Sequence, residues 1–410
     1  MPVGVVVQKY GGSSVADVAR LRSVAERVMR TKQQGHDVVV VVSAMGDTTD
    51  ELLGLAKQLS ANPDRRELDM LLSAGERISM ALLSMALREM GGDAISFTGS
   101  QSGIITNDRH VDARIVEVRP FRVQDELARG RIVVVAGYQG VSYRREVTTL
   151  GRGGSDTTAV ALAAALGAEW CEICSDVDVV YSADPRVVDA PHRIPMLSYE
   201  ETQEMAESGA RVLNAQAVEF AKERGIAIYA RATASPLPGA DPSADGTVVR
   251  KSAPRMPGTV VGIASERDVL LLRASCNGLR VLAFLDAHHV AGKQLHIVTV
   301  EGADDDVSLV VSRENLHDED RVRGDLEREL GMRARLIDGF GAVSAIGAGI
   351  NQSYDNLRRG TRALQTAGVT PRDIATSSFR ITWFVERRRV DDAARLLHHA
   401  LIDAQPLPVP

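Results

Sequence analysis

Apolar positions along the chain alternate between a strand period and a helix period. Val3 to Val7 is a nearly continuous β-branched run, interrupted by Gly4, and predicts a buried strand. From Val15 to Gln34 the apolar residues (Val15, Val18, Leu21, Val24, Ala25, Val28) recur at helical spacing, and Gly35 stands where a helix closes. Asp37 to Ser43 contains five valines and predicts a second buried strand. Strand, turn, helix, strand in that order is a βαβ unit of a parallel sheet. Farther on, Leu68–Met90 predicts an amphipathic helix, and Arg131–Gly137 and Trp170–Cys174 predict strands. Helical patterns at Tyr199–Ser208 and Ala215–Arg224 precede a strand at Ile226–Ala230.

Ala234 to Pro257 is rich in Pro, Gly, Ser and Asp and reads as a linker. Beyond it the elements shorten, and two segments share one outline of strand, helix, strand, strand, helix. The first has strands at Val269–Arg273, Gln294–Thr299 and Asp306–Val311, with helices at Leu279–Ala287 and Asp320–Leu330. The second has strands at Ala342–Gly347, Asp373–Ala375 and Phe379–Glu386, with helices at Asn356–Ala367 and Asp391–Leu401. This is the pattern of a tandem small-domain repeat. A chain of 410 residues is expected to hold more than one domain. The expected division is 1–250, 259–338 and 339–410.

Composition narrows the class. With 44% hydrophobic and 25% charged residues the chain reads as an ordinary globular protein, and its net charge of −6 argues against a nucleic-acid surface. Three cysteines are too few for a disulfide framework. Cys171 and Cys174 have zinc-like spacing but no companion pair, and both read as core residues of a strand. His36, His110, His192, His288 and His289 form no ligand-spaced cluster, so no metal is assigned to protein side chains. No secretory leader pattern occurs, and the longest apolar runs fall short of the ~20 residues that span a bilayer. A cytoplasmic protein with no membrane partner is expected.

The chemistry concentrates in three polar or glycine-rich loops. Thr148–Thr158 (TTLGRGGSDTT) has three glycines in four positions and runs straight into the Ala/Leu-rich stretch Ala159–Leu166. Glycines free the backbone for left-handed angles and close approach to a ligand, and a helix N-terminus is a natural anion site. Ser155 or Asp156 is placed as the N-cap. Lys9-Tyr10-Gly11-Gly12 and Ser43–Asp47 likewise leave strand ends, the edge at which open α/β sheets bind ligands. Phosphoryl transfer needs cations and N–H dipoles on the transferring group. Lys9 and the glycine turns suit that task, and Asp156 and Asp176 suit positioning or metal work.

At this point the motifs resemble those of bacterial aspartate kinases. Lys9–Ser14, Ser43–Asp50, Ser73–Arg77, Phe97–Gln101 and Gly151–Thr158 occur in the family's order, and the likeness covers residues 1 to about 232. The resemblance implies an α/β amino-acid-kinase fold, an open mainly parallel sheet between helices, followed by two small βαββαβ ACT-like regulatory domains. It implies transfer of the ATP γ-phosphate to the β-carboxylate of L-aspartate, the first step toward the aspartate-family amino acids. Lys9 would neutralise the transferring group, Gly11 and Gly12 would give it N–H bonds, and Asp156 would organise the transfer. Ser43 and Thr49 would line the aspartate pocket; Glu76 would take the substrate ammonium, and Arg152, with Ser155, its α-carboxylate. Lys9 and Tyr10 with Gly11 and Gly12, then Ser175, Asp176, Tyr181, Arg186 and Arg211, would serve the nucleotide. Mg²⁺ would sit on the ATP phosphates, and the ACT-like pair would make the protein a homo-oligomer.

Some positions depart from the family pattern: Val179 where glycine is usual, Arg211 for a lysine, and Asn214-Ala215-Gln216. In the ACT-like repeats, Ala274–Gly278 lacks a Pro-Gly turn, Val298–Val300 replaces a Gln-Asn pair, and Ala375–Phe379 keeps only part of a Thr-Ser motif. Weak or absent feedback by lysine and threonine is therefore expected, although an amino-acid effector has a place there. Two other readings keep the fold: a kinase of a related carboxylate such as a substituted aspartate, and a non-catalytic sensor subunit.

Overall fold

The computed structural model describes the chain except residues 1–2, 152, 177–178, 211–212, 240, 242, 291, 300–303, 314–315, 317–318 and 405–410. The described chain forms two compact units. The first holds Met1–Tyr181, Arg193–Ala206 and Arg211–Pro254; the second holds Ser182–His192, Glu207–Ala210 and Arg255–Pro410.

The first unit is built on an eight-stranded sheet. Its strands run Met196–Ser198, Gly246–Arg250, Ala227–Ala232, Trp170–Ser175, Val3–Tyr10, His36–Val42, Ile132–Ala136 and Ala94–Phe97 from edge to edge. Pairing is parallel except between Ala227–Ala232 and Gly246–Arg250. The central valine strands are buried on both faces, as their continuous apolar runs require. Val3–Tyr10 has its sequence successor on one side and Trp170–Ser175 on the other. The connections therefore diverge at this strand, the switch point where a crevice opens at the carboxyl ends.

Several sequence expectations shift here. The linker reading of Ala234–Pro257 is wrong for Gly246–Arg250, a strand of the main sheet whose residues through Val249 are buried. Leu68–Met90 is two helices, Arg65–Leu72 and Ala74–Glu89, and at the break between them Gln139 Nε2 donates to the Ser73 carbonyl (2.9 Å). A helix at Thr48–Leu59, starting at the end of the polar loop after the second strand, went unforeseen. The helix after the glycine turn spans Gly154–Leu166 and is buried nearly all round, as its Ala-rich composition allows. Its cap is Gly153 at φ +71°, not Ser155 or Asp156; both side chains are thereby released into the first turn.

In the second unit a single six-stranded antiparallel sheet carries both repeats. Its two long central strands, Gly262–Ser275 and Ala334–Ile346, pair with each other, and each repeat adds two strands outside them. Helices Gly278–Ala287 and Glu319–Leu330 close a core around Phe284 and Leu309. Helices Asp355–Thr366 and Val390–His398 close another around Trp383.

Candidate active site

Five strand ends meet around the switch point, and their loops interlock. The Gly46 N–H donates to the Gly12 carbonyl (3.1 Å), joining the loops after the first two strands. Ser43 N–H donates to Tyr10 O (3.1 Å), and Gly137 N–H to Val42 O (3.0 Å). Ser14 Oγ and Thr233 Oγ1 lie 2.7 Å apart, and Thr233 Oγ1 donates to Ser175 O at 3.1 Å. A Cβ on Gly137 would lie 2.7 Å from Ser155 Oγ, so only glycine lets the first turn of the Gly154–Leu166 helix settle on this strand end. That helix delivers Asp156 to Lys9: Nζ and Oδ1 are 2.7 Å apart, with both side chains mostly buried. Gly11 lies directly beside the Lys9 ammonium. The result is a partly desolvated ion pair under a helix N-terminus, a place built for anions.

Glu76 stands in the first turn of Ala74–Glu89, at 3% exposure. One carboxylate oxygen accepts the Ala44 N–H (3.2 Å), while Oε2 is buried with no hydrogen-bond partner. Burial raises its pKa from 4.5 to about 7, against the opposing backbone bonds. A buried carboxylate with one satisfied oxygen is incomplete without a donor, and an ammonium supplies one.

The other predicted residues are distributed unevenly. Ser43 follows the second strand and Thr49 lies in the first turn of Thr48–Leu59. Ser175 ends its strand, Asp176 is exposed just beyond it, and Tyr181 ends the short strand Val180–Tyr181. Two assignments need correction. Tyr10 cannot present its side chain to a nucleotide: it is 0% exposed in the core with Val15, Val24 and Leu83, and burial pushes its hydroxyl pKa well up. The Gly11 N–H is already spent on Cys174 O (3.1 Å), so Gly12 is left as the amide donor of that turn. Arg186 lies on an exposed turn and is bonded twice to Asp184 (3.0 and 2.6 Å), which leaves its nucleotide assignment untouched. Arg152 and Arg211 lie outside the described residues.

Asp69 was missed by sequence reading. It is fully buried on Arg65–Leu72 and bonded to Thr149, His110 and Val111. Burial raises its pKa, and those three bonds oppose the rise. Its one sequence signal is position: a carboxylate between Leu68 and Leu72, on the buried face of the helix.

Comparison with known proteins converges on one family. A family model described as "Amino acid kinase family" matches residues 4–230. The aspartokinase of Mycolicibacterium smegmatis is 43% identical, with 97% of this chain and 96% of that protein aligned. The chain belongs to the aspartokinases. The Corynebacterium glutamicum aspartokinase is 42% identical over the same shares of each chain. E. coli aspartokinase III, solved in complex with aspartate and ADP, matches with a TM-score of 0.82 at 25% identity, over 97% of this chain and 99% of that one. Membership makes the chain a kinase of the α/β class expected.

Proposed function

We propose that this aspartokinase-family chain transfers the γ-phosphoryl group of ATP to the β-carboxylate of L-aspartate, giving 4-phospho-L-aspartate and ADP. The observation that carries this reading is the Lys9–Asp156 pair (2.7 Å) at the switch point, where the glycine turns and a helix N-terminus converge. Carboxylate attack on the γ-phosphorus loads charge onto its equatorial oxygens, and a cation already in place stabilises that charge without reorganising. Asp156 aims the Lys9 ammonium, and the Gly12 amide adds a dipole. The orphaned oxygen of Glu76 takes the substrate ammonium, while Ser43, Thr49 and Ser155 line the acceptor side. Arg152 is assigned to the α-carboxylate on motif position. Ser175, Asp176 and Tyr181 serve the nucleotide. Mg²⁺ would arrive on the ATP phosphates and would shield their charge, with Asp176 the exposed carboxylate that would help hold it.

The division into a catalytic part (1–250) and two ACT-like repeats (259–338 and 339–410), a homo-oligomer joined through those repeats, and a cytoplasmic setting belong to the same proposal. Weak lysine and threonine feedback does too. In support, the N-terminal turn of helix Gly278–Ala287 is capped from within: Asp305 accepts the Gly278 N–H (2.7 Å) and Asn277 the Arg280 N–H (3.3 Å). ADP release measured with aspartate, β-substituted aspartates and no acceptor tests the reading. Turnover with aspartate alone supports it; preference for a substituted aspartate, or no turnover, contradicts it.

A further inference from the structure

Glu76 and Asp156 come from distant parts of the sequence, and something must fix their separation. Asp69 is placed to do so. It sits on Arg65–Leu72, which leads through Ser73 into the helix whose first turn holds Glu76. Its Oδ1 accepts from Thr149 Oγ1 (2.5 Å) and from the Val111 N–H (3.0 Å), and its Oδ2 lies 2.6 Å from His110 Nδ1. Thr149 ends the strand Val147–Thr149, and the next residues are the glycine turn and the helix start bearing Ser155 and Asp156. Ala113 N–H also bonds Thr149 O (2.9 Å), and Leu150 N–H bonds Tyr138 O (2.9 Å), so the strand end is held from three sides. Val111 adopts φ +72°, a left-handed angle costly for a β-branched residue. Such strain persists where the surroundings over-determine it, and here the Asp69 bond is part of that determination. Gln139 makes a parallel tie, donating to Ser73 O (2.9 Å) and accepting from Arg77 Nε (3.3 Å).

We propose that Asp69 is a positioning residue of the acceptor pocket: through Thr149 and the His110–Val111 turn it holds the Glu76 segment and the Ser155–Asp156 segment in register. The proposal rests on the aspartate-kinase reading above. An uncharged or apolar residue at 69 would still fill space, but it would not hold three donors from two segments at once.

The test uses the full chain and the pair Thr149→Val and Thr149→Ser, of which only the second keeps the hydroxyl. Thr149→Val is expected to raise KM for aspartate and lower kcat/KM for aspartate by roughly 10- to 100-fold, the scale of an ångström-sized misplacement. KM for ATP stays close to wild type, Thr149→Val melts lower because a buried carboxylate loses a donor, and Thr149→Ser restores both the aspartate parameters and the melting temperature. Asp69→Asn shifts the same parameters, and the Asp69→Asn/Thr149→Val double variant is no worse than the poorer single, because Thr149 acts through its bond to Asp69. An unmoved aspartate KM in Thr149→Val, equal losses toward both substrates, or additive losses in the double variant would overturn the role. A wild-type chain that forms no acyl phosphate removes the reading beneath it instead, which separates the two failures.

Discussion

Glu76 carries two opposing demands. Its pKa of about 7 means that the folded protein prefers it neutral, while an ammonium needs it ionised. A raised folded pKa favours folding below the unfolded value of 4.5, and that contribution is lost as pH rises through about 7. At pH 8 the ionised, unliganded group therefore costs the fold about 3 kcal/mol relative to acid conditions. Glu76→Gln is expected to melt higher than wild type above pH 7 and to lose most aspartate affinity, a trade of stability against function. Paired melting curves and aspartate titrations at pH 6 and pH 8 check this; a variant melting below wild type at pH 8 contradicts the burial argument. In the wild type, aspartate affinity is expected to fall as pH drops below about 7, where Glu76 takes up a proton. Lys9 and Asp156 stood out in the sequence because their glycine-rich loops leave strand ends, whereas Glu76, in the middle of an expected helix, was singled out only by the resemblance of its motif to the aspartate-kinase pattern. Asp69 was not, since nothing local shows that Thr149 and His110 converge on it from far along the chain.

The central strand is anchored from beneath as well as capped by its loops. Glu172 takes the Arg27 guanidinium (2.6 Å) and the Gln8 side-chain amide (2.8 Å), with Arg27 and Glu172 almost wholly buried. Removing one partner of a buried pair leaves an uncompensated charge, so Glu172→Gln is expected to cost about 3 kcal/mol, read as a lower urea midpoint. An unchanged midpoint would show the pair to be dispensable. The Gly137 contact gives a second test. Gly137→Ala would set a methyl 2.7 Å from Ser155 Oγ and push the first turn of Gly154–Leu166 off the strand end. A fall in kcat with a smaller change in KM for ATP is expected; wild-type turnover would mean the helix start tolerates displacement. Strand and helix order was readable because buried parallel strands are written as valine runs. The strand Gly246–Arg250 was not, since it stands among turn-forming residues and owes its place to pairing with Ala227–Ala232. The Ser73 break was hidden too, since the apolar periodicity runs through it, and Gln139, which bonds the Ser73 carbonyl there, belongs to another element.

At the scale of the whole molecule the account joins a phosphoryl-transfer unit to a second unit whose repeats share one sheet. With the start of helix Gly278–Ala287 occupied by Asp305 and Asn277, lysine and threonine, singly or together at sub-millimolar concentration, are expected to change the rate by less than the ~5-fold of an ordinary coupling of about 1 kcal/mol. Strong inhibition by either would contradict that expectation. The repeats were legible in outline because each buries its own apolar helix faces, but their merger into one sheet depends on the long strands Gly262–Ser275 and Ala334–Ile346 pairing across sequence distance. The central claim is that Lys9 and Asp156 form the centre of acyl-phosphate synthesis on aspartate. Incubating wild type and Lys9→Ala with ATP, Mg²⁺, L-aspartate and hydroxylamine, and measuring aspartyl hydroxamate, tests it most directly. The account predicts hydroxamate from the wild type, and a rate at least about 100-fold lower from Lys9→Ala with ATP affinity nearly kept; no hydroxamate from the wild type, or an equal rate from the variant, would contradict it.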